Sequence, residues 1–498
     1  MIYNQTMATE KYLKTDTANL FEDDTSENVK IELLWGDRIE VFPGDPVNGR
    51  VAARARGLNG FVRESDLGDE RLLEVYFIDV GQGDGVLIVT PDGKHILIDG
   101  GYNRMVQPHG KSAADFVDWK FYKDYGRKKI TVDAMISTHC DADHYGGLWD
   151  LVNPAVKNEL DCDAIEIKKF YHAGVSWWKT ASGSKSVGAS ADGYLTDLLE
   201  DNASVVKGLK PGAKPQLAGN WAKFMECLVN SGVKISRLSY KPSKGIGSLP
   251  ASVQGKRVTI KVLGPIESEI NGKPVLKDFG TDSENTNGNS LFFRVDIGRV
   301  RILLAGDLNK TSQQYILNIF KGSRQELTAD VAKSCHHGSD DCSYDFLETV
   351  HASASIISSG DDESHSHPRP NIVAALGLTG YKRIDNDELI TPLVFCTEIS
   401  RSVKMGNPYQ VDYLGYQVQD QAFNIKLVDE AKTDISYRRI ASGGLNAAKK
   451  SKMMDKIKII DGLVYGLVNV RTDGNTILCA TLNEGKSKWE TKKFTSRF

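Results

Sequence analysis

Four side chains that can ligate a metal fall within six residues of the segment Thr138-His139-Cys140-Asp141-Ala142-Asp143-His144-Tyr145-Gly146-Gly147. The segment follows VDAMIS, an apolar run that reads as a buried strand. In extended backbone, side chains two apart share a side, so His139 and Asp141 can grip one ion. Asp143 and His144 then turn toward a second ion as the chain bends into a helix. Imidazole and carboxylate are the usual donors for zinc and manganese. Cys140, between two ligands, is expected to point away and pack.

Two ions need more donors than one loop supplies, and later strands end in suitable ones. Asp307 follows VRILLAG, His336 and His337 follow ADVAKSC, and His367 lies a short loop beyond ASASIISSG. Each sits where a strand has just ended, so all can converge on one edge of a sheet. With these companions Asp307 reads as a bridging carboxylate; alone it would read as a turn. His365, two residues from His367, is not expected to ligate, and His95, His109 and His351 read as structural.

The elements that must position these groups are apolar runs typical of a well-covered sheet: LLEVYFIDV, GVLIVTP and HILIDGG before the histidine segment, then RVTIKVLGP, NSLFFRVDI and VRILLAG after it. Helical stretches between some of them imply a layered α/β domain over residues 71–380. A polar, Gly- and Lys-rich insertion at about 155–255 is expected to shape the substrate. Its cluster of Tyr171, His172, Trp177, Trp178, Lys168, Lys169 and Lys179 suits either stacking on bases or a loop-stabilising core. Residues 1–28 read as a polar tail or docking arm. Short alternating strands at 29–70 read as a small β-barrel, and 381–498 as a C-terminal extension with a hairpin at Asp473-Gly474.

The chain has 498 residues, a net charge of −3, 40% hydrophobic and 26% charged residues. This excludes wholesale disorder and a polycation that binds nucleic acid through bulk charge. No apolar run is long enough for a membrane span, and seven scattered cysteines without a CxxC pair argue against a disulfide scaffold or zinc finger. The expected compartment is the cytoplasm.

DVGQGD (79–84), LIDGG (97–101), the HxDxDH loop, AGDL, HHGS (336–339) and HPRP (367–370), in that order, resemble the metallo-β-lactamase superfamily, and most closely the hydrolase domain of ComEC-type competence proteins. The 29–70 segment resembles bacterial SH3-like domains through Leu34-Trp35-Gly36-Asp37 and Gly60-Phe61-Val62. The first resemblance implies an αββα sandwich with a dinuclear metal site at one edge. It puts His139, Asp141 and one of His336 or His337, with a lean to His336, on the first ion. Asp143, His144 and His367 fall on the second, with Asp307 bridging; catalysis would rest on His139, Asp143 and Asp307. The superfamily's commoner pattern has histidine in place of Asp141, and its third-motif histidine is missing from Asn285-Thr286-Asn287-Gly288-Asn289-Ser290.

Two divalent ions against three carboxylates leave one positive charge, which a bridging hydroxide neutralises; such a site favours anionic substrates. Asp141 hardens the first site, so manganese rivals zinc. Asp79, Asp84 and Asp99 are candidates to orient the histidines, and Lys333 and Ser339 to touch a phosphate. The expected function is a metal-dependent phosphodiesterase, foremost a nuclease. The alternatives are hydrolysis of a small phosphodiester or ester, or a partner-binding subunit of a larger assembly, such as an antiphage system, with a vestigial site. ComEC proteins carry membrane channel helices that this sequence lacks, so DNA uptake is not expected to transfer with the likeness. The expected partners are a nucleic-acid or phosphodiester substrate and a protein bound through the SH3-like segment.

Overall fold

The computed structural model describes residues 8–107, 110, 112–360, 367–399, 466–483 and 486–498, with the backbone of six short strands between 402 and 458. Residues 1–7, His109, His365 and most of the basic stretch 447–458 lie outside the fully described residues.

Two large sheets face each other. The first has nine strands, and at its centre His95–Gly100 pairs parallel with Ala134–Ser137 and antiparallel with Gly85–Val89. All six residues of His95–Gly100 are buried, because both faces of the sheet are covered. The second has seven strands, in which Val300–Ala305, Val331–Lys333, Ala354–Ile357 and Leu393–Cys396 run parallel. Phe77, Ile88, Ile98 and Ile136 of the first sheet meet Phe293, Ile302, Val331 and Ile356 of the second in one apolar core. The outer face of the first sheet packs on the helices Ala113–Trp119, Ala142–Val152 and Gly219–Asn230, and that of the second on Lys310–Ile319 and Tyr344–Val350. This is the expected αββα sandwich.

Three boundaries differ from expectation. Residues 8–28 are not a tail: Thr9–Leu13 and Thr17–Phe21 are strands of a seven-stranded antiparallel sheet that runs to Gly68, with Leu13, Leu20 and Phe21 buried. The C-terminal hairpin, Val468–Thr472 with Thr476–Asn483, is continued by Lys488–Thr495, and all three belong to the first large sheet next to Leu73–Phe77. Residues 155–255 are a packed layer: Lys169–His172 and Lys234–Arg237 extend the same sheet, and Trp177, Trp178, Trp221 and Phe224 are buried in its outer core. Residues 400–464 form a separate unit of three two-stranded ladders. No helix among the described residues is long and apolar enough to cross a membrane.

Candidate metal centre

Parallel strands deliver their following loops to one edge, and the chemistry gathers there. His139 lies just past the strand Ala134–Ser137. Asp141 is the N-cap of helix Ala142–Val152 but makes no side-chain cap bond, so its carboxylate is left for the cavity and accepts from Thr286 Oγ1 at 2.9 Å. Asp143 and His144 occupy the first turn of that helix, and Asp307 follows Val300–Ala305. His139, His144, Asp307 and His337 are all buried.

The donor atoms converge on Asp307. His144 Nε2 and His337 Nε2 approach its Oδ2 to 3.2 and 3.1 Å, while Asp143 Oδ2 lies 4.0 Å from the first and 3.8 Å from the second. His139 Nε2 lies 3.7 Å from Asp141 Oδ2. Ligand atoms within 4.8 Å of one another form the groups His139-His144-Asp307, Asp143-His144-His337 and Asp84-Asp307-His337, each able to hold a metal ion.

The other ring nitrogens are tied down. His144 Nδ1 donates to Asp99 Oδ2 at 2.9 Å. Thr138 Oγ1 gives its hydrogen to Asp99, so it accepts from His139 Nδ1 at 3.1 Å; Ser290 Oγ lies 3.3 Å from the same nitrogen. His337 Nδ1 lies 3.2 Å from both the Ser358 carbonyl and Asp84 Oδ1. The network thus assigns the Nδ1–H tautomer to all three imidazoles and turns each Nε2 lone pair inward. Those Nε2 atoms are buried without a well-directed hydrogen-bond partner, as metal donors would be.

Charge gives the same answer. Five carboxylates, Asp84, Asp99, Asp141, Asp143 and Asp307, face one buried ammonium, Lys333, paired with Asp84. This excess of negative charge favours bound cations. Without ions, protons fill part of it. Burial opposes charging His144 and His337, but the Asp307 carboxylate, with Asp99 and Asp143 at His144 and Asp84 at His337, raises His144 well above its ordinary range and His337 to about 10. His139 is lowered, first by burial and then by the neighbouring His144. Burial raises a carboxyl pKa, yet Lys333 and His337 bring Asp84 down to about 2, and His337 and His144 hold Asp307 well below the usual range.

The centre opens into a polar cavity of about 570 Å³ lined by Gln82, Asp143, Asn287, His336, Ser339 and Arg369, among others. His367 is on its wall, with its ring 6.4 Å from that of His337. His336, toward which the sequence leaned, stands apart from Asp307; the left-handed backbone of both residues sends neighbouring imidazoles to different sides.

Other expectations change. Lys333 does not reach the cavity, because its ammonium is held by Asp84 and the carbonyls of Ala305 and Ser334. Trp177 donates to the Cys140 carbonyl, Trp178 to that of Asp197, and His172 Nδ1 accepts from Gly174 N: all three serve packing, away from the cavity. Cys140 is core, as expected. Asp84 and Asp99 contact the histidines, whereas Asp79 accepts from Gly81 N in the glycine turn. Thr138, Thr286 and Ser290 were not singled out from sequence. The one signal was that Thr286 and Ser290 fall in the stretch where the expected histidine is missing.

A segment of 324 residues, 63% of the chain, is 30% identical to ComE operon protein 3 of Bacillus subtilis (strain 168) and spans 32% of that protein, well under two thirds of its length. Among solved structures, a diphosphatase from the PhnP family is similar over 59% of this chain and 89% of its own, at 13% identity and a TM-score of 0.27. A point mutant of CmlA beta-hydroxylase is similar over 67% of this chain and 54% of its own, at 7% identity and a TM-score of 0.31. Residues 78–341, more than half of the chain and including His139, Asp141, Asp143, His144, Asp307 and His337, match the metallo-beta-lactamase superfamily, and the protein belongs to it.

Proposed function

We propose that the protein is a phosphodiesterase, foremost a nuclease, that works with two divalent ions. The observation behind this reading is the excess of carboxylates over cations around three inward, buried Nε2 atoms, a charge that two divalent ions would balance. His139 and Asp141 would hold the first ion, Asp143, His144 and His367 the second, with Asp307 between them and His337 completing the set in place of His336. Such ions, when bound, polarise phosphoryl oxygens and lower the pKa of water. The chain's own contribution is orientation: Asp99, Thr138, Ser290 and the Ser358 carbonyl fix the imidazole tautomers, and Gln82 holds Asp143 at 3.3 Å.

A phosphodiester suits the cavity because the donors on its wall, from Asn287, His336, Ser339 and Arg369, match phosphate oxygens. Asp141 in place of an imidazole favours manganese beside zinc. The test compares turnover of single-stranded DNA, RNA and bis-p-nitrophenyl phosphate with Mn²⁺ or Zn²⁺, in wild type and Asp307→Ala. Metal-dependent cleavage that vanishes in D307A is expected. Activity on the small diester with none on any polynucleotide would instead favour a small-molecule hydrolase.

A further inference from the structure

Beside the ion-holding groups, the cavity wall carries two further basic side chains, His336 and Arg369. His336 and His337 take consecutive left-handed conformations, φ 49° and 52°, which for non-glycine residues are strained and cluster at functional sites. The effect is to part their rings, which lie 6.1 Å apart at 73°. His337 goes to Asp307; His336 lines the cavity, and its buried Nδ1 has no hydrogen-bond partner.

Arg369 reaches the same wall. Its backbone N–H donates to the Gly338 carbonyl at 2.9 Å, which ties the loop after His367 to the loop of His336. Its guanidinium lines the cavity with a buried, unpartnered Nε and no ion pair among the described residues. With no ion-pair partner among the described residues, this half-buried guanidinium suits an anionic ligand, and its fork of donors fits phosphate oxygens in pairs. Asp340, the other carboxylate on this wall, is exposed to water.

We propose that Arg369 and His336 bind the phosphate next to the one being hydrolysed, so that the site takes a single strand of nucleic acid in preference to a diester with one phosphate. This rests on the phosphodiesterase reading above. A cavity of 570 Å³ is the size of a small-ligand pocket and admits a strand end rather than a duplex. Arg369 supplies charge and a bidentate contact; His336 supplies one ring N–H donor.

The test measures binding of fluorescein-labelled, phosphorothioate hexathymidylate, which resists cleavage, to the full-length protein as purified, over a salt series. Loss of one phosphate contact lowers the slope of log K against log salt by about 0.7 for a single strand. Arg369→Met is therefore expected to reduce the slope by that amount and weaken binding about tenfold, with metal content unchanged; R369K restores the slope. His336→Phe weakens binding several-fold. In turnover, R369M lowers kcat/KM for hexathymidylate at least tenfold more than for bis-p-nitrophenyl phosphate. Equal slopes and affinities in wild type and R369M, or no measurable binding by wild type, overturn the inference. Absence of hydrolysis of either substrate, with binding and its slope change intact, counts against the phosphodiesterase reading alone.

Discussion

Asp99 does not line the cavity, yet it accepts from His144 Nδ1, Thr138 Oγ1 and Thr138 N. Replacing such a partner of a ligand histidine typically costs 10–100-fold in metal affinity, about 1–3 kcal/mol. Asp99→Asn should show a loss of that size in a chelator competition. Removing either of the adjacent histidines gives a sharper contrast: His337→Ala should lose bound metal and His336→Ala should keep it, as read by elemental analysis. Titration offers a third prediction. In metal-free protein His337 holds its proton up to about pH 10 against an ordinary value of 6.5, because Asp307 and Asp84 outweigh burial. A raised folded pKa stabilises fully below the unfolded value, and that stabilisation is lost as pH climbs through the folded one. Chelated protein should therefore melt at a lower temperature at pH 9.5 than at pH 6.5, with a smaller drop for metal-loaded protein, in which ions stand where the protons stood; parallel behaviour of the two would contradict the assignment. The HxDxDH loop, Asp307 and HHGS were legible because ligand types at strand ends leave a mark in sequence. Ser290 and Thr138 were not, since a hydroxyl becomes a histidine's partner only when strands from the two sheets are brought together.

At the scale of elements, the site depends on close backbone approach. Gly83, at φ 106°, lies so near the Asp143 carbonyl that a Cβ there would overlap it, and a Cβ on Gly147 would overlap the Gly100 carbonyl where helix Ala142–Val152 crosses its strand. Gly83→Ala is thus expected to destabilise by about 1–3 kcal/mol through backbone strain alone and to displace Asp143. Thermal unfolding and turnover should fall together. DVGQGD, read from sequence for carboxylates that orient histidine, is also a tight turn: Gly81 and Gly83 bend the chain and Asp84 faces His337. Central strands could be read from sequence because six buried residues in a row need apolar side chains on both faces. The strands TEKYL and TANLF could not, since each buries only its last two residues fully and gives too short a pattern to register as periodic. The aromatic cluster of the insertion was ambiguous for another reason: stacking on a base and packing on a sheet use the same residues.

In the whole molecule, the N-terminal sheet is fastened to the sandwich by one buried cation. Arg471, 1% exposed, pairs with Asp37 at 2.8 Å and donates to the carbonyls of Leu34 and Trp35, while Trp489 donates its backbone N–H to Glu32. Asp37 keeps a second partner in Arg56 at 2.8 Å, so Arg471→Met chiefly leaves the carbonyls of Leu34 and Trp35 without their donor and should lower chemical-denaturation stability by about 1–3 kcal/mol without changing the metal content. The sequence placed this C-terminal hairpin correctly but not its sheet, because pairing between residues some 400 positions apart leaves no local pattern. The central claim, that residues from both halves of the sandwich close around a pair of divalent ions, is tested most directly by elemental analysis of purified protein beside Asp307→Ala. Two equivalents of zinc or manganese per chain, lost together with phosphodiester hydrolysis in D307A, is the predicted result. Wild-type protein that holds no divalent metal, and hydrolyses as fast in chelator as without it, would contradict it.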